Sequence, residues 1–111
     1  MHLFLPNSTI NPSTNITITG SKSESNRLLL LKSLFKNLEI QNVSNSDDSQ
    51  YMLKALDSDN LTVDIHHAGT AMRFLTAYLA ATTQKEITLT GSPSMLQRPI
   101  GPLVDALRDM G

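Results

Sequence analysis

Residues 70–82, TAMRFLTAYLAAT, constrain the fold of this chain more than any other stretch. Apolar side chains run almost all the way round a helix of this sequence, and Arg73 is its sole charge. A helix apolar on nearly every face belongs beneath other layers and not at a surface. It is also too short to cross a bilayer, which takes about 20 consecutive apolar residues. A second helix with the same demand follows Gly20. Ser21 with Glu24 three residues on fits a capping box. Leu28, Leu31, Phe35 and Leu38 then share one helical face, and Leu29, Leu30 and Leu34 widen it.

The remaining pattern supplies the covering layers. Residues 16–19 (ITIT), 39–44 (EIQNVS), 61–66 (LTVDIH) and 86–90 (EITLT) read as short strands. Residues 1–15 read as a strand, a turn and the approach to a second strand. Asn45, Ser46, Asp47 and Asp48 open a helix whose early negative charge suits its dipole. Met52, Ala55 and Leu56 form that helix's apolar face. Residues 57–60 (DSDN) make a turn and residues 91–94 (GSPS) a loop. Pro99 opens a last helix over residues 99–110, and Gly111 could cap it. The order β-β-α-β-α-β-α-β-α is that of an α/β protein. No linker or low-complexity stretch divides it. A glycine followed by a helix with an early basic residue occurs at Gly20 and Gly69, with a looser echo at Gly91. The spacing is too irregular to define a repeat.

Composition excludes several classes of function. The 111 residues carry 9 Lys and Arg against 10 Asp and Glu, so a general nucleic-acid binder is not expected. There is no Cys, which removes disulfides, cysteine-based zinc sites, iron–sulfur clusters and a thiol nucleophile. The polar, Asn- and Ser-rich start does not resemble a signal peptide. A cytoplasmic location is expected, with no membrane partner. Leu, Ile, Val and Phe make 30 residues, and only 5% of residues are aromatic, so the core should be aliphatic. Met52, Met72 and Met95 read as gap fillers in that core. Residues 20–23, Gly-Ser-Lys-Ser, lack the spacing of a phosphate-binding P-loop. His66 and His67, adjacent on a strand, should point to opposite faces. The nearest acids have no ligand spacing, and no metal site is expected.

The informative oddity is where the cations sit. Lys22 and Arg73 fall in first turns of expected helices, Arg98 immediately precedes one, and Arg27 lies one to two turns into the first. A cation at a helix N-terminus is disfavoured by about 0.3–1 kcal/mol. A bound anion reverses that sign, because free backbone N–H groups, the dipole and the side chain then act together. Each residue has a plainer reading. Lys22 could be a solvated surface lysine, Arg27 could pair with Glu24, Arg73 with Asp48 or Asp64, and Arg98 could stand in an exposed loop. Together the four suggest a site for a polyanionic small molecule.

The residues around these cations carry a resemblance. Gly20-Ser21-Lys22-Ser23-Glu24-Ser25-Asn26-Arg27 resembles the GSKSxSNR motif of the 5-enolpyruvylshikimate-3-phosphate synthase (3-phosphoshikimate 1-carboxyvinyltransferase) family. Residues 68–73 (AGTAMR) resemble its NAGTAxR motif, and residues 89–93 (LTGSP) with 97–101 (QRPIG) its LTG…RPI motif. Ser46-Asp47-Asp48 and Tyr51-Met52-Leu53 are similar to the region between. The resemblance implies transfer of the enolpyruvyl group of phosphoenolpyruvate to shikimate 3-phosphate in aromatic amino-acid biosynthesis, with no cofactor, in an enzyme that is usually monomeric. It implies an α/β fold of α+β type, part of an inside-out barrel of βαβαββ units with helices buried under mixed sheets. Residues 1–20 would be initial strands belonging to the other domain. Residues 21–111 would be the first unit and the start of the next. Lys22, Ser23 and Arg27 would bind shikimate 3-phosphate, and Lys22, Gly69, Arg73 and Arg98 phosphoenolpyruvate. The family's acid–base Asp and Lys lie beyond residue 111, so the 111 residues would hold part of a binding site, no catalytic residue and no turnover. His67 stands where the motif has Asn. The related UDP-N-acetylglucosamine transferase has Lys-Asn where this chain has Lys22-Ser23. A non-enzymatic anion-binding domain or a folding fragment is the alternative.

Overall fold

A computed structural model describes residues 1–111. Its elements in chain order are α1 (Lys22–Leu34), α2 (Asp47–Leu56), β1 (Thr62–Asp64), α3 (Gly69–Thr82), β2 (Thr88–Thr90), α4 (Pro93–Leu96) and α5 (Gly101–Asp109). The result is a mixed α/β arrangement with one two-stranded sheet. No helix is long and apolar enough to cross a membrane.

Local chemistry starts the first two helices. Ser21 caps α1, its hydroxyl accepting the Glu24 N–H at 3.5 Å. Ser46 caps α2 in the same way, accepting the Ser49 N–H at 3.4 Å. A buried polar seam joins these helices. The Ser49 hydroxyl donates to Asn26 Oδ1 at 2.9 Å, and Ser25 Oγ accepts the Ser44 N–H at 2.9 Å. Asn26 Nδ2 has no partner. Turning the amide over would leave the oxygen orphaned instead, so this seam is one acceptor or donor short either way.

The strands β1 and β2 pair in parallel, Thr62 with Thr88, Val63 with Leu89 and Asp64 with Thr90. A parallel pair needs a crossover, and α3 supplies it. Leu29 of α1, Met52 and Ala55 of α2, Val63 and Ile65 at β1, Ala68, Ala71, Met72 and Leu75 along α3, and Met95 of α4 form one core. It is aliphatic and methionine-rich, as the composition requires.

Several expectations need correction. Residues 1–19 and 39–44 form no strands. Alternation marks a strand's faces, but a strand exists only when another backbone completes its ladder. Residues 1–19 are exposed throughout and find no partner strand, while residues 39–44 dock as extended chain, with Asn42 O accepting the Gly20 N–H at 3.0 Å. Neither apolar helix is covered on every side. On α1 Leu31 and Leu34 are exposed, as is Phe35 just beyond it; on α3 burial is confined to Gly69, Ala71, Met72 and Leu75. The elements within these 111 residues cover only one face of each. Residues 93 and 94, expected in a loop over 91–94, instead open a short helix to Leu96, because Ser92 caps it by accepting the Met95 N–H and Pro93 fits the first turn. The last helix starts at Gly101, two residues later than Pro99 suggested.

Leu75 is fully buried and Leu31 is 43% exposed. Leu75→Ala should therefore cost about 2–5 kcal/mol, while Leu31→Ala should change stability by no more than about 0.5 kcal/mol. Urea unfolding of the two variants beside the parent checks this pair of outcomes.

Candidate anion site at the helix starts

Contacts tie the starts of α1, α2 and α3 together. Lys22, first in α1, places Nζ 3.2 Å from Asp48 Oδ1, second in α2. Asp47, first in α2, places Oδ2 3.7 Å from Nε2 of His67, two residues before α3. Ser23 and Arg27 are exposed and one turn apart, on one face of α1. Arg27 makes no ion pair with Glu24, and Lys22 is half-exposed but paired.

The start of α3 differs from the other two. Its N-cap is Ala68, which offers no side-chain acceptor to the first-turn N–H groups. Two arginines attend it. Arg73 Nη1 donates to the Gly69 carbonyl at 3.4 Å. Arg98 comes from the far end of α4, where its N–H bonds Met95 O at 3.0 Å. It does not precede the last helix directly; its guanidinium reaches the start of α3 instead. A Cβ added to Gly69 would lie 2.5 Å from Arg98 Nη1. The bare glycine is what lets the guanidinium settle there. Neither arginine has a carboxylate partner, and the pairing of Arg73 with Asp48 or Asp64 does not form. Asp48 is taken by Lys22, and Asp64 accepts the His66 N–H at 2.7 Å. Two like charges and the positive end of a helix thus share one corner without a counter-ion.

The histidines are not on a strand, because β1 ends at Asp64. His66 has φ 51°, and this turn swings the two rings together, Nδ1 to Nδ1 at 2.6 Å. Tyr51 stacks on His66 at 5.6 Å between centroids. The expectation of opposite faces fails for that reason. The roles of Asp47 and Asp48 as partners of His67 and Lys22 were not legible, since both carboxylates also fit a helix cap.

A model of the family described as EPSP synthase (3-phosphoshikimate 1-carboxyvinyltransferase) matches residues 55–111. The chain belongs to the EPSP synthase family. It is 50% identical over 97 residues to the 3-phosphoshikimate 1-carboxyvinyltransferase of Bacteroides fragilis, covering 86% of this chain and 23% of that protein. To the Haemophilus influenzae protein of the same name it is 42% identical over 125 residues, covering 86% and 29%. The Shewanella denitrificans protein is likewise 42% identical, over 123 residues. The chain spans about a quarter of the length of these curated relatives. No solved structure matches it.

Gly69 has an ordinary helical backbone, and the atom crowding its added Cβ is the far end of a flexible side chain. Gly69→Ala should therefore change stability by no more than about 1 kcal/mol, the helix preference of Ala over Gly offsetting the displaced side chain, while pushing the Arg98 guanidinium off the start of α3. Thermal unfolding and the Arg98 side-chain NMR signal would separate the two effects; a collapse in stability would contradict this account.

Proposed function

We propose that this chain supplies part of the substrate-binding half of an enolpyruvyl transferase acting on phosphoenolpyruvate and shikimate 3-phosphate. The observation that carries the reading is the pair of arginines, Arg73 and Arg98, on Gly69 with no carboxylate to neutralise them. Phosphoenolpyruvate brings a phosphate and a carboxylate, and two guanidiniums beside uncapped N–H groups complement both. Lys22, Ser23 and Arg27 at the start of α1 take the phosphate of shikimate 3-phosphate, with Lys22 reaching both ligands.

The reaction joins the shikimate 3-phosphate hydroxyl to the central carbon of phosphoenolpyruvate as its methylene carbon takes a proton. Loss of phosphate and of that proton from the tetrahedral adduct restores the alkene. Binding both polyanions together demands cations, and this is the share the chain's residues take. General acid–base groups must lie within hydrogen-bond reach of the reacting atoms. The motif resemblance assigns none of those groups to residues 1–111. Residues 1–20 belong with the other domain of the complete fold, and residues 21–111 with one βαβαββ unit and the start of the next, in an inside-out barrel. The exposed face of α1 and the exposed strand-patterned residues 1–19 support that division. A cytoplasmic setting fits this chemistry.

Titration with shikimate 3-phosphate should give saturable amide shifts over residues 22–27. Arg27→Ala should weaken binding about 10-fold or more, the worth of a charge-assisted hydrogen bond. Arg73→Ala should do the same for phosphoenolpyruvate. The purified 111-residue chain should form no product. Shifts absent from a folded sample, or product formed without a partner, would overturn the reading.

A further inference from the structure

Ser46 already caps α2, so the Asp47-Asp48 pair behind it is not needed as a cap, and its carboxylates point elsewhere. Asp48 is turned to Lys22 at 3.2 Å, and its side chain is only 14% exposed against 50% for Lys22. Asp47, on the adjacent position, is turned to His67 instead. Asp48 is therefore the one acid on Lys22, and it is the better-buried member of the pair.

The surroundings fix the carboxylate more firmly than the ammonium. Asp48 sits in the first turn of α2, where N–H groups and the dipole favour its charge. The seam of Ser25, Ser44, Asn26 and Ser49 holds α2 against α1 just behind it. Lys22, by contrast, is a point charge on a flexible four-carbon stem, at a helix end whose dipole repels it. Left alone, such a side chain has many rotamers, and an anion that used it would have to freeze them on binding.

We propose that Asp48 is a positioning residue: it holds the Lys22 ammonium at the joined starts of α1 and α2, so that an incoming anion meets it already in place. The proposal rests on the reading of Lys22 as an anion ligand. Asp48 touches no substrate itself and acts only through Lys22. Its own charge is partly absorbed by the α2 N-terminus, so the gain from fixing Lys22 outweighs the repulsion of the ligand.

A double-mutant cycle on the 111-residue chain tests this, with shikimate 3-phosphate as the probe and amide shifts as the readout. Asp48→Asn should weaken binding about 3–10-fold when Lys22 is present, the range that coupled neighbours give. In the Lys22→Gln background the same change should cost less than about 2-fold. Asp48→Glu, which keeps the charge, should recover part of the loss. Equal losses in both backgrounds would mean that Asp48 serves only the N-terminal charge of α2. Tighter binding in Asp48→Asn would mean that it is a competing counter-charge. Either result overturns the proposal. Unchanged binding in Lys22→Gln is the separate failure of the underlying site reading, and the proposal falls with it. A measurement without ligand stands beside the cycle. The Lys22 ammonium resonance should be protected from exchange in the parent chain and lost in Asp48→Asn. No such protection in the parent would also overturn the proposal.

Discussion

The parallel pairing of two three-residue strands is the constraint on which the rest of this structure depends. Because β1 and β2 run the same way, α3 must carry the chain from the end of one to the start of the other. The segments leaving both strands then emerge at the same edge. The Ser92 N–H bonds His66 O there at 2.8 Å, and the Ile65 N–H bonds Thr90 O at 3.0 Å. Gly91 is required at this crossing, since a Cβ would lie 2.5 Å from His66 O. One loop opens α3 at Gly69 and the other opens α4, which ends near Arg98. In parallel sheets the carboxyl edge of the strands is where ligands bind. Here that edge brings an uncapped helix start and two free arginines together.

The core that holds this arrangement is small. Fifteen of 111 residues are buried, and every large side chain among them belongs to the packing of α1, α2, α3 and α4 around β1. Apolar side chains outside it, such as Phe35 and those of residues 3–5, 16 and 18, stand in solvent. Exposure of that extent marks surfaces suited to further contacts. The apolar pattern of α1 runs wider than the face that α2 and α3 cover, which leaves Leu31, Leu34 and Phe35 exposed.

The sequence was most legible where an element's cause is local. Ser21 and Ser46 cap the helices as their positions suggest, and α3 runs within a residue of its apolar pattern. It was least legible where a partner decides. The alternation of residues 16–19 names two faces but cannot supply a neighbouring strand. The cations divide in the same way. Their nearness to helix starts could be read along the chain for Lys22 and Arg73. That Arg98 reaches α3 and not the last helix depends on the β-edge crossing, which no spacing encodes. Asp48 was ambiguous because a capping carboxylate and an ion-pair partner are the same residue in the same place.

His67 shows how far one substitution can alter such a corner. The resembled motif has Asn at this position, an amide in place of a ring. The imidazole here faces Asp47 with Nε2 and His66 with Nδ1. Two Nδ1 atoms at 2.6 Å can share only one hydrogen, so one ring donates there and the other accepts. The left-handed backbone at His66 is what makes that geometry reachable, and it is held by Asp64 below and Ser92 above. The same turn that lets β1 hand the chain to α3 therefore also brings the two rings together just before Gly69. Fold and site are coupled here through one residue's φ angle.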